Sequence, residues 1–270
     1  MTDDPKRRAE STYNAAADFF DAAPLAFWER IGRRTVERMS LKRGAHVLDA
    51  CCGSGASAIP AAQAVGPDGR VLGVDLAENL LALARSKAQR QGLAHAEFRR
   101  ADIESLDPLT EMFDAVTCVF GIFFLPDMPA GVRGLWRLVR PGGQLAITTW
   151  GPRFAEPGST AFWDAIRRER PDLYKSFNPW DAITDPLALT AMMHEGGAPA
   201  DEVVAEAGVQ RLSSVDDFWT IALGSGYRGT IERLDRQATQ RVRDATLARL
   251  VALDVKDVET NAIFAIARKP

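Results

Sequence analysis

Residues 46–75 constrain the fold more than any other stretch. "HVLDA" (46–50) is a short apolar strand and "CCGSG" (51–55) a glycine-bearing turn. "GASAIPAAQAV" (55–65) is small and helix-forming, and after the Pro67-Asp68-Gly69 turn "RVLGVD" (70–75) is a second apolar strand. A strand, a helix and a strand in this order form a parallel unit with a right-handed crossover. The alternation continues. "AENLLALARSKAQRQG" is a helix ending at Gly92, "AEFRRAD" (96–102) a third strand and "FDAVTCVF" (113–120) a fourth. A helix over about 128–139, a Pro141-Gly142-Gly143 turn and a fifth strand "QLAITTW" (144–150) follow. The expectation is an α/β chain with an open, doubly wound sheet. Ahead of it, residues 11–39 read as two helices broken near Pro24.

Such sheets bind ligands beyond the carboxyl ends of their strands, where the winding direction reverses, and the 51–55 turn falls there. Gly53 and Gly55 let a ligand approach the backbone, and the next helix's N-terminus offers N–H groups to an anion. Asp75, 20 residues after Gly55, ends the second strand, where a carboxylate can accept from both hydroxyls of a ribose or cap the following helix. Gly53-x-Gly55-x-x-Ala58 also satisfies the dinucleotide fingerprint, so a nicotinamide or flavin reading stays open. Against it, Asp49 stands four residues before the first glycine. Its charge would repel a pyrophosphate and attract an amino group or a sulfonium. Asp102 and Ile103, closing the third strand, suit the exocyclic amine and apolar face of a purine.

Composition narrows the partners. The 270 residues are 46% hydrophobic and 26% charged with a net charge of -3, which suits a soluble protein with one large core. No basic surplus favours nucleic acid, and a small-molecule substrate is expected. No leader or membrane-length apolar run is visible, so a cytoplasmic monomer or homodimer with no integral membrane segment is expected. Cys51, Cys52 and Cys118 form neither a disulfide framework nor a spaced metal motif, and no metal is expected. The adjacent pair reads as small wall residues of the turn.

"VLDACCGSG", "VLGVDLAENLL", "FRRADIESL" and "FDAVTCVFGIFFLPDMPAGVRGLWRLVRPGGQLAI" resemble, in order, the successive motifs of class I S-adenosylmethionine-dependent methyltransferases. The last stretch is most similar to the ubiquinone/menaquinone-biosynthesis branch and its small-molecule relatives. The resemblance covers about residues 45–150 and implies a Rossmann-like seven-stranded sheet of order 3-2-1-4-5-7-6 with strand 7 antiparallel. "DEVVAEAGVQRL" (201–212) and "TNAIFAIARKP" (260–270) suit strands six and seven. It implies S-adenosyl-L-methionine as cofactor. Asp49, Cys51, Gly53 and Gly55 would hold the methionine end, Asp75 the ribose, Leu76 the adenine face, and Asp102 and Ile103 the base; Phe120 would lie beside the reacting methyl. The family has glycine where Cys51 stands.

The implied activity is methyl transfer to oxygen or carbon of a small, hydrophobic or aromatic metabolite. Its alternatives are an NAD-dependent oxidoreductase, a non-catalytic binder of the same cofactor, and a thiol-dependent arsenical methyltransferase using the three cysteines. The chain divides into an N-terminal helical lid (1–44), the cofactor-binding core (45–150), a helical insertion (151–200) and a C-terminal completion of the sheet (201–270). Aromatics concentrate outside the core, which suits an apolar lid. Tyr13, Phe20, Trp28, Phe123, Trp150, Tyr227 and Arg228 are the expected substrate-pocket residues. His46 and His95 fall at strand starts, on the wrong edge, which leaves His194 in the insertion as the one histidine candidate for a catalytic base.

Overall fold

The computed structural model describes residues 5–107 and 111–270. Two helices, α1 (Pro5–Phe20) and α2 (Phe27–Met39), precede the sheet. Then β1 (His46–Ala50), α3 (Ala58–Val65), β2 (Arg70–Asp75), α4 (Glu78–Arg90), β3 (Ala96–Arg100), β4 (Phe113–Val119), α5 (Met128–Leu138) and β5 (Val139–Trp150) alternate as the sequence pattern requires. Beyond β5 come α6 (Gly158–Glu169), α7 (Pro186–Glu195), β6 (Glu202–Glu206) and β7 (Val209–Arg211). The chain closes with α8 (Asp216–Leu223), α9 (Arg228–Ile231), α10 (Arg236–Ala252), β8 (Asp257–Glu259) and β9 (Ala262–Arg268).

The main sheet has the order β3-β2-β1-β4-β5-β9-β6. Its first five strands are parallel, and β9 runs antiparallel to both β5 and β6. With β9 as strand seven this is the expected topology. The central strands are buried on both faces, which is why they read as apolar runs rather than alternations. Val47, Val71 and Ala115 pack with Val36, Ile59 and Leu81 of α2, α3 and α4. Their neighbours Leu48, Leu72 and Val116 join the larger cluster that contains Leu135 of α5, Phe162 of α6 and Leu189 of α7.

The 201–212 stretch is not one strand. β6 stays in the main sheet, while β7 leaves it to pair with β8 in a two-stranded ribbon. Gly208 makes the break: its N–H donates to Asn261 Oδ1 at 3.0 Å and its carbonyl accepts from Thr260 N at 2.8 Å. A Cβ there would lie 2.7 Å from the Thr260 carbonyl oxygen, so the close passage of the two segments requires glycine. The 260–270 stretch divides correspondingly, with β9 beginning at Ala262. Residues 216–252 form three helices to which sequence pattern assigned no elements. Of these α9 packs on α1, α10 on α6, and α8 on both α1 and α10.

Candidate active site

The turn after β1 is wound through three left-handed residues, Cys51 (φ 59°), Gly53 (φ 52°) and Gly55 (φ 86°). Cys52 N donates to Val74 O at 3.0 Å and Gly55 N to Cys52 O at 2.8 Å, so the turn is tied to β2 and to itself. The left-handed φ explains why glycine suits position 51; a cysteine there carries a cost of roughly 1–2 kcal/mol. Space for its side chain comes from Gly121, where a Cβ would stand 2.4 Å from the Cys51 Cβ and 2.8 Å from its Sγ. Cys51 hydrogen-bonds to Cys118, and that contact together with burial pushes its thiol well above the ordinary range. Cys52 packs in the other core cluster, 2.9 Å from where a Gly73 Cβ would lie, so the three thiols do not converge.

Two carboxylates are built into this turn. Asp49 is fully buried; its Oδ2 accepts from Ser57 Oγ at 2.8 Å and it also accepts from the Ala58 backbone N–H, while Oδ1 has no partner. Burial pushes its pKa up to about 7. This corrects the expectation that the N-terminus of α3 is open to an anionic ligand group. Asp49 already fills it, leaving an unpaired acceptor for a donor instead. Asp75 accepts from Gly53 N (2.8 Å) and Ala77 N (2.8 Å). It both clamps the glycine turn and caps the approach to α4, and burial raises its pKa.

These elements wall a cavity with a free volume of about 120 Å³ at the carboxyl ends of β1, β2 and β4. Cys51, Gly53, Asp75, Leu76, Asp102, Ile103 and Phe120 all line it, as do Tyr13, Phe20 and Trp28 from the N-terminal helices. Helix α1 is its roof. Asn14 is held to α4 by Asn79 N (2.9 Å) and Asn79 Nδ2 (3.0 Å), Glu10 pairs with Arg100, and Lys6 pairs with Asp102 at 2.6 Å and with Glu104. The Trp28 indole N–H is buried in this wall without a partner.

A second, larger cavity of about 570 Å³ adjoins it. Ala9, Tyr13, Phe124 and Leu125 line both. An aromatic spine runs between them. Phe120 stacks on Trp150 (3.8 Å between centroids, 18°), Trp150 on Phe154 (3.9 Å, 28°), and Phe154 lies parallel to Tyr227 at 6.5 Å. The larger cavity is lined by Tyr13, Phe123 and Tyr227 from the expected pocket set, and by Phe154, Trp163 and Trp180.

Five expected site residues stand elsewhere; the first, Asp49, is fully buried and lines neither cavity. Trp150 is sandwiched between Phe120 and Phe154 with 1% of its surface exposed, so it supports the pocket without lining it. Gly55 faces Ile59, Ala84 and Phe98, where its missing side chain lets α3 and α4 close on β3. Arg228 starts α9 and pairs with Glu232 at 2.7 Å; neither cavity is lined by it. His194 is exposed in the last turn of α7, a helix that packs on α5 and β6, and is remote from both cavities. Sequence reasoning missed Lys87, buried in α4. Its ammonium donates to Asp21 Oδ1 (2.7 Å) and Ser54 Oγ (3.0 Å), and Ser54 Oγ donates to the same Asp21 oxygen at 2.7 Å. The three residues pin the α1–α2 connection to the glycine turn. Lys87 falls on the buried face of an otherwise amphipathic helix, and that was the available signal.

Among the described residues no cluster of three His, Cys, Asp or Glu side chains is placed to hold a metal, and no helix is long and apolar enough to cross a membrane. The chain is 36% identical over 137 residues to demethylmenaquinone methyltransferase of Listeria welshimeri, covering 50% of this chain and 57% of that protein. It is 33% identical over 153 residues to nocamycin O-methyltransferase of Saccharothrix syringae, covering 56% and 52%. The chain thus spans about half the length of the curated relatives it matches. A candidate methyltransferase from Bacillus halodurans C-125 shares the fold, with a TM-score of 0.55 and 21% identity over 88% of this chain and 97% of that one. The sequence profile of the ubiE/COQ5 methyltransferase family matches residues 10–162, which take in most of α1, the glycine turn, both strand-end carboxylates and the start of α6; the chain belongs to that family.

Proposed function

We propose that the protein transfers the methyl group of S-adenosylmethionine to an oxygen or carbon atom of a small, apolar or aromatic metabolite bound under its helical roof. The observation that carries this reading is the junction of two unlike cavities: a small acidic one at the strand ends, and a larger aromatic one that shares Tyr13, Phe124 and Leu125 with it. The donor's chemistry is an activated methyl on a cationic sulfur.

The residues present suit such a donor. Trp28 lines the smaller cavity and its indole N–H has no partner among the described residues, which suits the carboxylate of an amino acid end, while Asp49, buried behind the lining, keeps an unpaired Oδ1. Asp75 is in position for ribose hydroxyls, Leu76 and Ile103 for the faces of a base, and Asp102 for an exocyclic amine, in exchange for its contact with Lys6. Phe120, held at a left-handed φ of 57° and stacked on Trp150, fixes the wall between the two cavities. The catalytic contribution assigned to the chain is in-line positioning and exclusion of water. Among the described residues, Ala9, Tyr13, Phe124 and Leu125 are the ones shared by both cavities, and none of them is a strong base. Tyr13 is kept protonated by burial, so it serves as a hydrogen-bond donor, and an acidic phenol, enol or stabilised carbanion is the acceptor this site can use. The names of the relatives are in keeping with this, one denoting an O-methyltransferase and the other acting on a demethylmenaquinone.

The test is calorimetric titration with S-adenosylhomocysteine and, in parallel, NADH. Binding of the first with a Kd of about 10 μM or tighter, lost in Asp75→Ala, is the expected result. Binding of NADH instead would overturn the proposal.

A further inference from the structure

Three cations ring the outer end of the larger cavity. Arg8 comes from α1, Lys175 from the loop after α6, and Arg233 from the turn after α9, and all three line the cavity. Lys175, on the exposed rim, lies close enough to Arg8 and Arg233 that partial desolvation and both guanidinium groups lower its pKa, and its ammonium sits 5.9 Å from the centre of the Trp163 ring. Among the described residues neither Lys175 nor Arg233 forms an ion pair. The acids nearby are engaged elsewhere: Glu232 with Arg228 (2.7 Å), Asp172 with Arg170 (2.7 Å) and Glu169 with Arg241 (2.6 Å).

Lys175 and Arg233 converge as like charges, which costs the protein stability unless an anion settles between them. The rest of the cavity wall is rich in rings, from Phe123, Phe154, Trp163 and Trp180, with some small polar side chains, and the Glu232 carboxylate that also lines it is the one held by Arg228. The cations do not line the donor cavity. Along α1, Arg8 precedes the junction residue Tyr13 by five positions, about 7.5 Å of helix rise. An anion held by the cations is therefore well separated from the atom that meets the donor.

We infer that the methyl acceptor is an anionic amphiphile whose carboxylate, or comparably acidic group, is anchored by Lys175, Arg233 and Arg8 while its apolar body presents a different atom at the Tyr13 junction. The inference rests on the methyl-transfer reading, to which it adds the acceptor's charge and orientation.

A matched pair of probes tests it: 4′-hydroxybiphenyl-4-carboxylate and its carboxamide, titrated into protein saturated with S-adenosylhomocysteine. The acid is expected to bind about tenfold tighter than the amide at low ionic strength, with the preference shrinking as salt is raised. In Lys175→Glu/Arg233→Glu the preference is expected to vanish or invert while S-adenosylhomocysteine affinity stays within about twofold. Both positions are exposed, and Lys175→Gln is the milder second variant, expected to lose part of the preference. Equal binding of acid and amide, no measurable binding of either, or a preference that survives the charge reversal would overturn the inference. Failure of S-adenosylhomocysteine to bind the unaltered protein rejects the donor reading instead, and the acid–amide comparison made without it still reports on the cations.

Discussion

The smaller cavity, proposed here for the methyl donor, is shaped by backbone, whereas the larger one, proposed for the acceptor, is shaped by side chains. The first has a free volume of about 120 Å³ and is walled by strand ends, left-handed turn residues and carboxylates fixed by main-chain N–H groups. The second, about 570 Å³, is enclosed by α1, the segments after β4 and β5 and residues 226–233 around α9, and its lining is dominated by side chains, rings and long cations foremost. A backbone-built site tolerates little change, because each atom is fixed by the sheet. A ring-built site can be resized by substitution without disturbing the fold. The contrast explains how one donor site can serve proteins with different acceptors.

Six substitutions probe this contrast. The largest effect is expected from Asp75→Ala, which frees the Gly53 and Ala77 N–H groups at once. S-adenosylhomocysteine affinity should fall by about 100-fold or more, measured calorimetrically; a loss below tenfold would mean that the turn holds without its clamp. Next, Gly121→Ala drives a methyl into Cys51 and should lower unfolding free energy by about 2 kcal/mol in urea titrations. Adding Cys51→Gly should restore most of that, and additivity of the two changes would show that the residues do not share the space.

Asp49 supplies the pH test. Its carboxyl has an ordinary pKa of 3.8, and burial in the fold raises it to about 7. Between these values the native chain binds a proton that the unfolded chain has released, so stability falls as pH rises from 4 to 7 and then levels off. The raised pKa of Asp75 adds to the same slope. Asp49→Asn should match the unaltered protein near pH 4 and exceed it by roughly 4 kcal/mol at pH 8, while binding the donor product more weakly. A variant with an unchanged slope would show that Asp49 is ionised throughout.

On the acceptor side, Trp180→Ala should raise the acceptor KM by about tenfold and leave S-adenosylhomocysteine affinity unaltered. Coupled loss of both would show that the two cavities are not separable. Smallest of all, His194→Ala should change kcat/KM by less than about twofold, and a pH–rate profile that lost a limb in this variant would return the histidine to the site.

What could be read from sequence differs between the two cavities for the same physical reason. Central parallel strands are buried on both faces, so β1, β2, β4 and β5 announce themselves as apolar runs, and a ligand-facing carboxylate at a strand end occupies a fixed register position. Asp75 and Asp102 could therefore be placed in the cavity wall from local pattern. The break at Gly208 could not, because the alternation of residues 201–212 continues through it and only the close passage of Thr260 and Asn261 forbids a continuous strand. Sequence alone suggests Trp150 and Arg228 for the pocket, yet neither lines a cavity. Whether each points into a cavity depends on the phase of its element and the rings packed against it.

Local pattern in the chain was enough to specify the sheet, its winding and the acidic glycine turn, because strand burial and backbone handedness leave a residue-by-residue trace. Folding in three dimensions was needed to establish that Asp49 fills the helix end, that Gly121 makes room for Cys51, and that Arg8, Lys175 and Arg233 meet across 225 residues of chain. Each of these is a contact between distant segments, set by how helices pack over the strand ends, and no local pattern encodes it.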